Sequence, residues 1–281
     1  MSDSSERMNG RAGGVLMVLC GAIFLEGIDV AMLNVALPSI RADLGLSTGM
    51  LGGVVSAYVL GYGGFMLLGG RAADLLGHRR MFVLWLSVFL VFSGVGGFAT
   101  GGWMLLAARF LTGVAAAFMA PAGLALVTST FPEGPARTRA LGVYAGTAAG
   151  GFSLGLVAGG MLASFGWRWV FFAPVIMAAL ILVAAPALLP GAGAVRSPGG
   201  FDIAGALTVT GAMLLLAYGV VRLEDLGAGT GLDALRTALA VPVAAAVLGA
   251  VVVAFGLRSP ATPDDATPDW SPLAEPAETA A

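Results

Sequence analysis

The sequence predicts an all-α protein that crosses a lipid bilayer several times, and three observations support this. Hydrophobic residues make up 58% of the 281 residues and charged residues only 11%, whereas soluble domains carry about 25% charged residues. The apolar residues form long continuous runs, each near the ~20 residues that a membrane-spanning helix needs. A β-barrel would show short alternating segments instead. This composition argues against a soluble globule, a disordered chain and a nucleic-acid-binding protein.

Stretches that are free of charged residues mark eight candidate spans. The first covers residues 12–25 and resumes to residue 40 after Glu26 and Asp29. The others cover residues 44–70, 81–108, 110–132, 140–167, 169–195, 203–221 and 237–257. Each is long enough to cross a bilayer, and the short segments between them are rich in Gly, Pro and Arg, as turns are.

The positions of the basic residues predict the orientation of these spans. All 14 basic residues are arginines. With the N-terminus in the cytoplasm, nine arginines lie in cytoplasmic segments and four lie on the opposite side. Cytoplasmic loops of membrane proteins carry the excess of basic residues. We therefore expect a multi-pass protein of the cell membrane, with both termini and the loops 71–80, 132–139 and 190–202 in the cytoplasm.

The sequence contains few residues of the types that support catalysis or cofactor binding. It holds one cysteine and one histidine, which exclude an internal disulfide and a cysteine-based metal cluster. It also lacks a G-x-x-x-x-G-K-[ST] phosphate loop, which argues against an ATP-driven pump. We expect no enzyme activity, no cofactor and no metal site.

The end of span 1 carries the first distinctive motif. Residues 28–38 read IDVAMLNVALP. This segment resembles the D-x-T-x-V-N-V-A-L-P signature of the drug:proton antiporters of the major facilitator superfamily, in the branch with fourteen helices. Asp29 and Asn34 stand at the acid and amide positions of the signature, and Ala31 replaces the usual threonine.

The loop after span 2 resembles the G-x-L-A-D-x-x-G-R-[KR] loop of the same superfamily. Its motif residues are Gly70, Asp74, Gly77, Arg79 and Arg80. His78 stands where an arginine is usual. The glycines permit a tight turn, and a carboxylate among arginines can form a charge-assisted cluster. We expect this gating loop to latch one membrane face in one conformation and to release it in another.

Spans 4 and 5 carry two further motifs of this kind. Residues 109–117 resemble R-x-x-Q-G-x-x-x-A, with Thr112 where glutamine is usual. Span 5 resembles the antiporter motif G-x8-G-x3-G-P-x2-G-G, with Leu156 in place of the proline. Its glycines are Gly142, Gly151, Gly155, Gly159 and Gly160. Glycines that recur every four residues leave one helix face bare, so a neighbouring helix can approach closely. Residues 166–172, GWRWVFF, are similar to the W-R-W-x-F segment of this branch.

The resemblance implies a fold and a domain organisation. It implies the N-terminal six-helix bundle of a major facilitator, built from two inverted three-helix repeats, plus two additional transmembrane helices. Spans 1 and 4 are then corresponding helices that line the central cavity. The expected segments are a tail at 1–12, the six-helix half at 13–189, a linker at 190–202, two extra helices at 203–257 and a disordered tail at 258–281.

The resemblance also implies proton-coupled efflux of small, amphipathic or cationic, drug-like molecules. The site residues expected for this activity are Asp29, Glu26, Arg109 and Asn34. Ionisable groups inside the bilayer are functional by default, and residues three apart share a helix face. Burial favours the neutral form of a carboxyl group and a nearby arginine favours the charged form. Asp29 is therefore the expected proton carrier, and Glu26 is the second choice.

Three alternatives stay open from the sequence. Glu26 or Asp29 could lie near a membrane interface, and Arg109 could lie near the outer boundary of its helix, without a functional role. A second six-helix half, which alternating access requires, is not found in the 281 residues. The chain could thus be a truncation product without transport, or a half-transporter or interaction subunit that needs a second chain. The sequence leaves the identity of the substrate open.

Overall fold

The structure is a computed structural model and describes residues 10–190 and residue 211. The described part is all-helical and contains six long helices. They are α1 (Gly10–Leu44), α2 (Thr48–Leu76), α3 (His78–Gly97), α4 (Gly102–Thr130), α5 (Pro135–Phe165) and α6 (Trp169–Leu188). Each is long and apolar enough to cross a membrane. The prediction of an all-α, multi-pass membrane protein is therefore confirmed.

Several predicted segments fall on residues that the structure does not describe. These are most of the N-terminal tail, the linker at 190–202, the two further spans at 203–257 and the tail at 258–281. Only residues 190 and 211 of these last three segments are described.

One helix boundary differs from the prediction. The uncharged run 81–108 predicted a single span, but α3 ends at Gly97 and α4 begins at Gly102. The turn between them, residues 98–101, contains no charged residue, so a search for uncharged stretches cannot detect it. The start of the fourth span therefore moves back to Gly102, and Arg109 lies inside α4, as its motif predicted.

The six helices pack in a pattern that is unchanged when helices 1–3 are exchanged for helices 4–6. The most extensive contacts join α1 to α5 and α2 to α4, and these two pairs interchange under the exchange. The α1–α6 and α3–α4 contacts interchange in the same way. This pattern is the one expected for two inverted three-helix repeats in one bundle.

Two apolar clusters fill the interior of the bundle. The first is built from the first half of α1 and the second half of α4, and includes Leu19 and Leu126. The second uses the opposite halves of the same helices, and includes Ile40 and Leu105. Asp29 follows Ile28, the first α1 residue of the second cluster, and Arg109 lies between Leu105 of the second cluster and Val114 of the first. These two buried charged side chains therefore lie near the junction of the two apolar clusters.

Candidate functional site

The centre of the bundle contains an ion pair between α1 and α4. The Arg109 guanidinium donates a hydrogen bond of 2.6 Å from Nη1 to Oδ2 of Asp29. Both side chains are only 2% exposed. The structure thus joins two of the predicted site residues and places Arg109 in the interior. Arg109 lies within α4 and is among the most deeply buried side chains of the described residues.

The rest of the Arg109 guanidinium is held by an aromatic ring. The Arg109 Cζ atom lies 4.4 Å from the centroid of the Tyr58 ring on α2, which is the geometry of a cation–π contact. The buried Arg109 Nε has no hydrogen-bond partner among the described residues. Thr112, which replaces the usual glutamine, donates its hydroxyl to the Arg109 carbonyl 3.0 Å away. The Thr112 hydroxyl therefore forms its hydrogen bond within α4.

Glycines let the helices approach closely enough to form this site. A Cβ added to Gly113 on α4 would collide with the backbone of Tyr58 on α2. A Cβ added to Gly61 on α2 would in turn lie 2.9 Å from the Val114 backbone nitrogen. Because any side chain at these positions would push α2 and α4 apart, Gly61 and Gly113 bring the Tyr58 ring within reach of Arg109.

Glu26 is also buried, but its surroundings differ from those of Asp29. It is 7% exposed and forms no hydrogen bond or ion pair with the part of the chain that the structure describes. It lines a shallow, mainly apolar groove of about 300 Å³ between α1, α2 and α5. The rings of Tyr58, Tyr62 and Phe152 line the same groove. The first two are nearly parallel, with ring centroids 6.1 Å apart.

Asn34, the fourth residue predicted for this site, does not join it. Its amide donates to the Val30 carbonyl of its own helix at 2.9 Å, and the side chain is exposed. In this conformation Asn34 makes no hydrogen bond to another helix among the described residues. An asparagine can satisfy its donor on the carbonyl four residues earlier, so its motif position alone does not fix its partner.

Only some glycines of the α5 motif lie in close contact with another described helix. Gly151, Gly155 and Gly159 face α1, where added Cβ atoms would lie within 3 Å of the backbone at Phe24, Ile28 and Met32 respectively. The close approach of a neighbouring helix is thus present at these three positions. Gly142 meets nothing within 4 Å among the described residues, and Gly160 meets only a Val35 methyl group at 3.9 Å.

The gating loop between α2 and α3 has a different charge pattern from the one expected. The Asp74 carboxylate lies 3.2 Å from His78 Nε2. Arg79 donates to the Pro186 carbonyl at the end of α6 at 2.7 Å, and Arg80 is exposed. Within residues 10–190 neither of these arginines pairs with Asp74. A cluster that unites Asp74 with Arg79 and Arg80 is therefore not formed in this conformation.

The glycines of the same loop have distinct positions. Gly77 ends α2 with a positive φ of 95° and donates its N–H to the Ala73 carbonyl. The tight turn that the sequence predicted is therefore present. Gly70 lies within α2, where an added Cβ would be 3.8 Å from the Pro121 ring.

The opposite end of the bundle carries a second, exposed aspartate–arginine pair. The Asp43 carboxylate accepts from Trp167 Nε1 at 2.8 Å and from Arg168 Nη1 at 2.9 Å. Arg168 also donates to the Ala99 carbonyl at 3.3 Å. The end of α1, the α3–α4 turn and the α5–α6 turn are thereby connected. The W-R-W segment supplies this connection, and no role for this segment was predicted from the sequence.

These features define a multi-pass membrane protein whose six-helix bundle encloses a buried ion pair. The family model of the Major Facilitator Superfamily matches residues 19–273, and the chain belongs to this superfamily. The cephamycin export protein CmcT of Amycolatopsis lactamdurans is 39% identical over 83% of this chain and 47% of its own length. The puromycin resistance protein pur8 of Streptomyces alboniger is 38% identical over 75% of this chain and 42% of its own length.

The fold also resembles solved transporters. The crystal structure of the human organic anion transporter MFSD10 superposes with a TM-score of 0.60 at 20% identity, over 73% of this chain and 55% of that one. The chain spans about half the length of the curated relatives that it matches. The resemblance to drug-exporting major facilitators, found in the motifs, is confirmed, as is the expectation that the protein is not an enzyme.

Proposed function

We propose that the protein takes part in proton-coupled export of small, amphipathic or cationic molecules across the cell membrane. The names of two relatives, an export protein and a resistance protein, support the direction and the class of cargo. The observation that carries the proposal is the Asp29–Arg109 pair, which is 2.6 Å long and almost fully buried. Ionisable groups in membrane helices pair with one another and mark proton and substrate pathways.

The proposed role of Asp29 follows from the chemistry of this pair. The ionised carboxylate is stabilised by Arg109, and protonation of Asp29 removes that interaction. One proton therefore changes the charge at the junction of α1 and α4. In an alternating-access cycle, this change would favour one conformation over the other, because a ligand shifts an equilibrium through its different affinity for the two states.

We assign the substrate contact to Glu26. Glu26 lines the groove together with Tyr58, Tyr62 and Phe152. Aromatic faces and carboxylates both attract cations, and the apolar lining suits a flat organic body. Asp29 and Glu26 lie three residues apart on α1, so a bound cation and a proton would compete electrostatically.

The remaining expectations complete the proposal. We propose that the arginine-rich loops and both termini face the cytoplasm. We propose that the gating loop changes its contacts during the cycle. The alternatives without independent transport, including a second chain that supplies a complementary half, are tested by the assay that follows.

The test is efflux of ethidium from cells that express the full chain, driven by an imposed pH gradient. One set of cells expresses the chain alone. A second set also expresses the C-terminal half of the cephamycin export protein as a separate chain. We expect Asp29→Asn to abolish pH-driven efflux in the set that transports. We expect Glu26→Gln to retain pH dependence but to lower the preference for ethidium over an uncharged probe.

The matched control is Asp43→Asn, which removes an exposed carboxylate of the same helix and should leave the pH dependence intact. Unchanged efflux in Asp29→Asn together with lost efflux in Glu26→Gln would reverse the two assignments. If neither variant changes efflux, proton coupling through this site is wrong. If neither set of cells transports ethidium while both express folded protein, the proposed export of cations is wrong.

A further inference from the structure

The buried charge of Arg109 depends on a small number of partners. Its Nη1 reaches Asp29, its guanidinium lies over the Tyr58 ring, and its Nε has no hydrogen-bond partner among the described residues. When Asp29 takes up a proton, the arginine loses its anionic partner while it remains buried. A buried cation without a partner is strongly unfavourable, so another group must stabilise it at that step.

We propose that Tyr58 is the positioning residue that holds Arg109 while Asp29 is protonated. The proposal rests on the proton coupling proposed above. The ring face attracts a cation in either state. Its contribution is larger when the guanidinium charge is not already neutralised by Asp29. Tyr58 therefore stabilises the state in which Asp29 carries the proton more than it stabilises the ion-paired state.

The geometry favours Tyr58 over the other groups near Arg109. Asp29 and Glu26 face this region from α1, and Tyr58 and Tyr62 face it from α2. The Tyr144 hydroxyl on α5 lies near Gly123 of α4, and Gly123 comes later in that helix than Arg109. Helix α3 carries no ionisable side chain between residues 81 and 97. Of these groups, Tyr58 alone has its ring stacked on the guanidinium within residues 10–190.

The position of the ring is also fixed by the backbone. Gly113 allows the backbone of Tyr58 to touch α4 one turn after Arg109. The ring is further supported by stacking on Tyr62. The contact is thus built by a close helix crossing as well as by one flexible side chain, and it can persist when the Asp29 hydrogen bond changes.

The test measures the protonation of Asp29 directly in the purified 281-residue protein. Infrared difference spectra over a pH titration give the protonated-carboxyl band that Asp29→Asn removes. We expect Tyr58→Leu to move the midpoint of this band to lower pH by about 0.5 to 1 pH unit, since the ring contact is worth a comparable shift. Tyr58→Phe keeps the ring and should keep the wild-type midpoint.

Two further variants complete the design. Tyr62→Leu removes the neighbouring ring, which does not lie over Arg109, and should leave the midpoint near its wild-type value. Tyr58→Met provides a second ringless, flexible apolar side chain in case Tyr58→Leu does not fold, and it should shift the midpoint in the same direction.

The proposal is overturned by an unchanged midpoint in both ringless Tyr58 variants. It is also overturned by a shift in Tyr58→Phe as large as the shift in Tyr58→Leu, or by an equal shift in Tyr62→Leu. A purely structural role for Tyr58 would lower protein yield or stability without moving the midpoint. The titration does not require transport, so failure of the export assay is distinguishable from failure of this inference.

Discussion

Two aspartate–arginine pairs in the described part of the chain share the same chemistry in opposite environments. Both aspartates belong to α1. Asp29 and Arg109 are 2% exposed, whereas Asp43 and Arg168 are 49% and 43% exposed. Water can replace either partner of the exposed pair at little cost. Water cannot replace a partner of the buried pair at such a low cost. Burial, rather than the identity of the residues, therefore distinguishes the two pairs.

The two pairs also differ in what surrounds them. Asp43 accepts from two donors, and Arg168 reaches a backbone carbonyl in another turn. Loss of one contact there leaves others in place. Arg109 has one carboxylate and one aromatic face. The exposed pair is suited to connect segments of the bundle, and the buried pair is suited to a switch between two charge states.

The largest expected effect is that of removing one buried charge. Asp29→Asn leaves the Arg109 cation without an anion, which should lower the free energy of unfolding by about 3–5 kcal/mol. Reversible unfolding of the purified protein in mixed detergent micelles measures this. The double variant Asp29→Asn with Arg109→Gln should recover most of the loss. If the double variant is as unstable as the single one, the pair is not the source of the effect.

The second effect comes from the helix approach that supports the buried pair. Gly113→Ala should push α2 away from α4 and lower the free energy of unfolding by about 1–3 kcal/mol, as overpacking does. The control is Gly142→Ala, because Gly142 meets nothing within 4 Å in the described structure. We expect that control to be neutral or slightly stabilising. Equal destabilisation of the two variants would contradict the role of the close helix approach at Gly113.

The smallest effect is expected at the exposed pair. Asp43→Asn should change the unfolding midpoint only slightly, and the difference from wild type should shrink as salt concentration rises, because salt screens exposed charges. Unfolding curves at low and high salt provide the measurement. A loss that matches Asp29→Asn and is insensitive to salt would remove the distinction between the two pairs.

The membrane fold could be predicted from the sequence because hydrophobic length is a strong signal. Six of the predicted spans correspond to helices of the structure. The boundary between α3 and α4 could not be predicted, since residues 98–101 form a turn without any charged residue. The glycine spacing of α5 predicted a close approach, but only the tertiary structure shows that α1 meets Gly151, Gly155 and Gly159 and leaves Gly142 open.

The site was predicted in part. Asp29 and Arg109 were recognisable as charges within apolar runs, and the structure joins them. Tyr58 was missed, because an aromatic residue in a membrane helix is usually core or lipid-facing, and nothing local distinguishes one that covers a guanidinium. The spacing of Tyr58 and Tyr62 around Gly61 was the available signal, and it is weak. The amide of Asn34 bonds within its own helix in this conformation, which its motif position did not predict.

The most direct test of the central claim is proton release on substrate binding. The purified protein in weakly buffered solution receives tetraphenylphosphonium, a lipophilic aromatic cation, and a pH-indicator dye reports the protons released. The account predicts release from the wild type and from Asp43→Asn, and loss of release in Asp29→Asn. Release that persists in Asp29→Asn but disappears in Asp43→Asn would contradict the assignment of the proton to the buried pair.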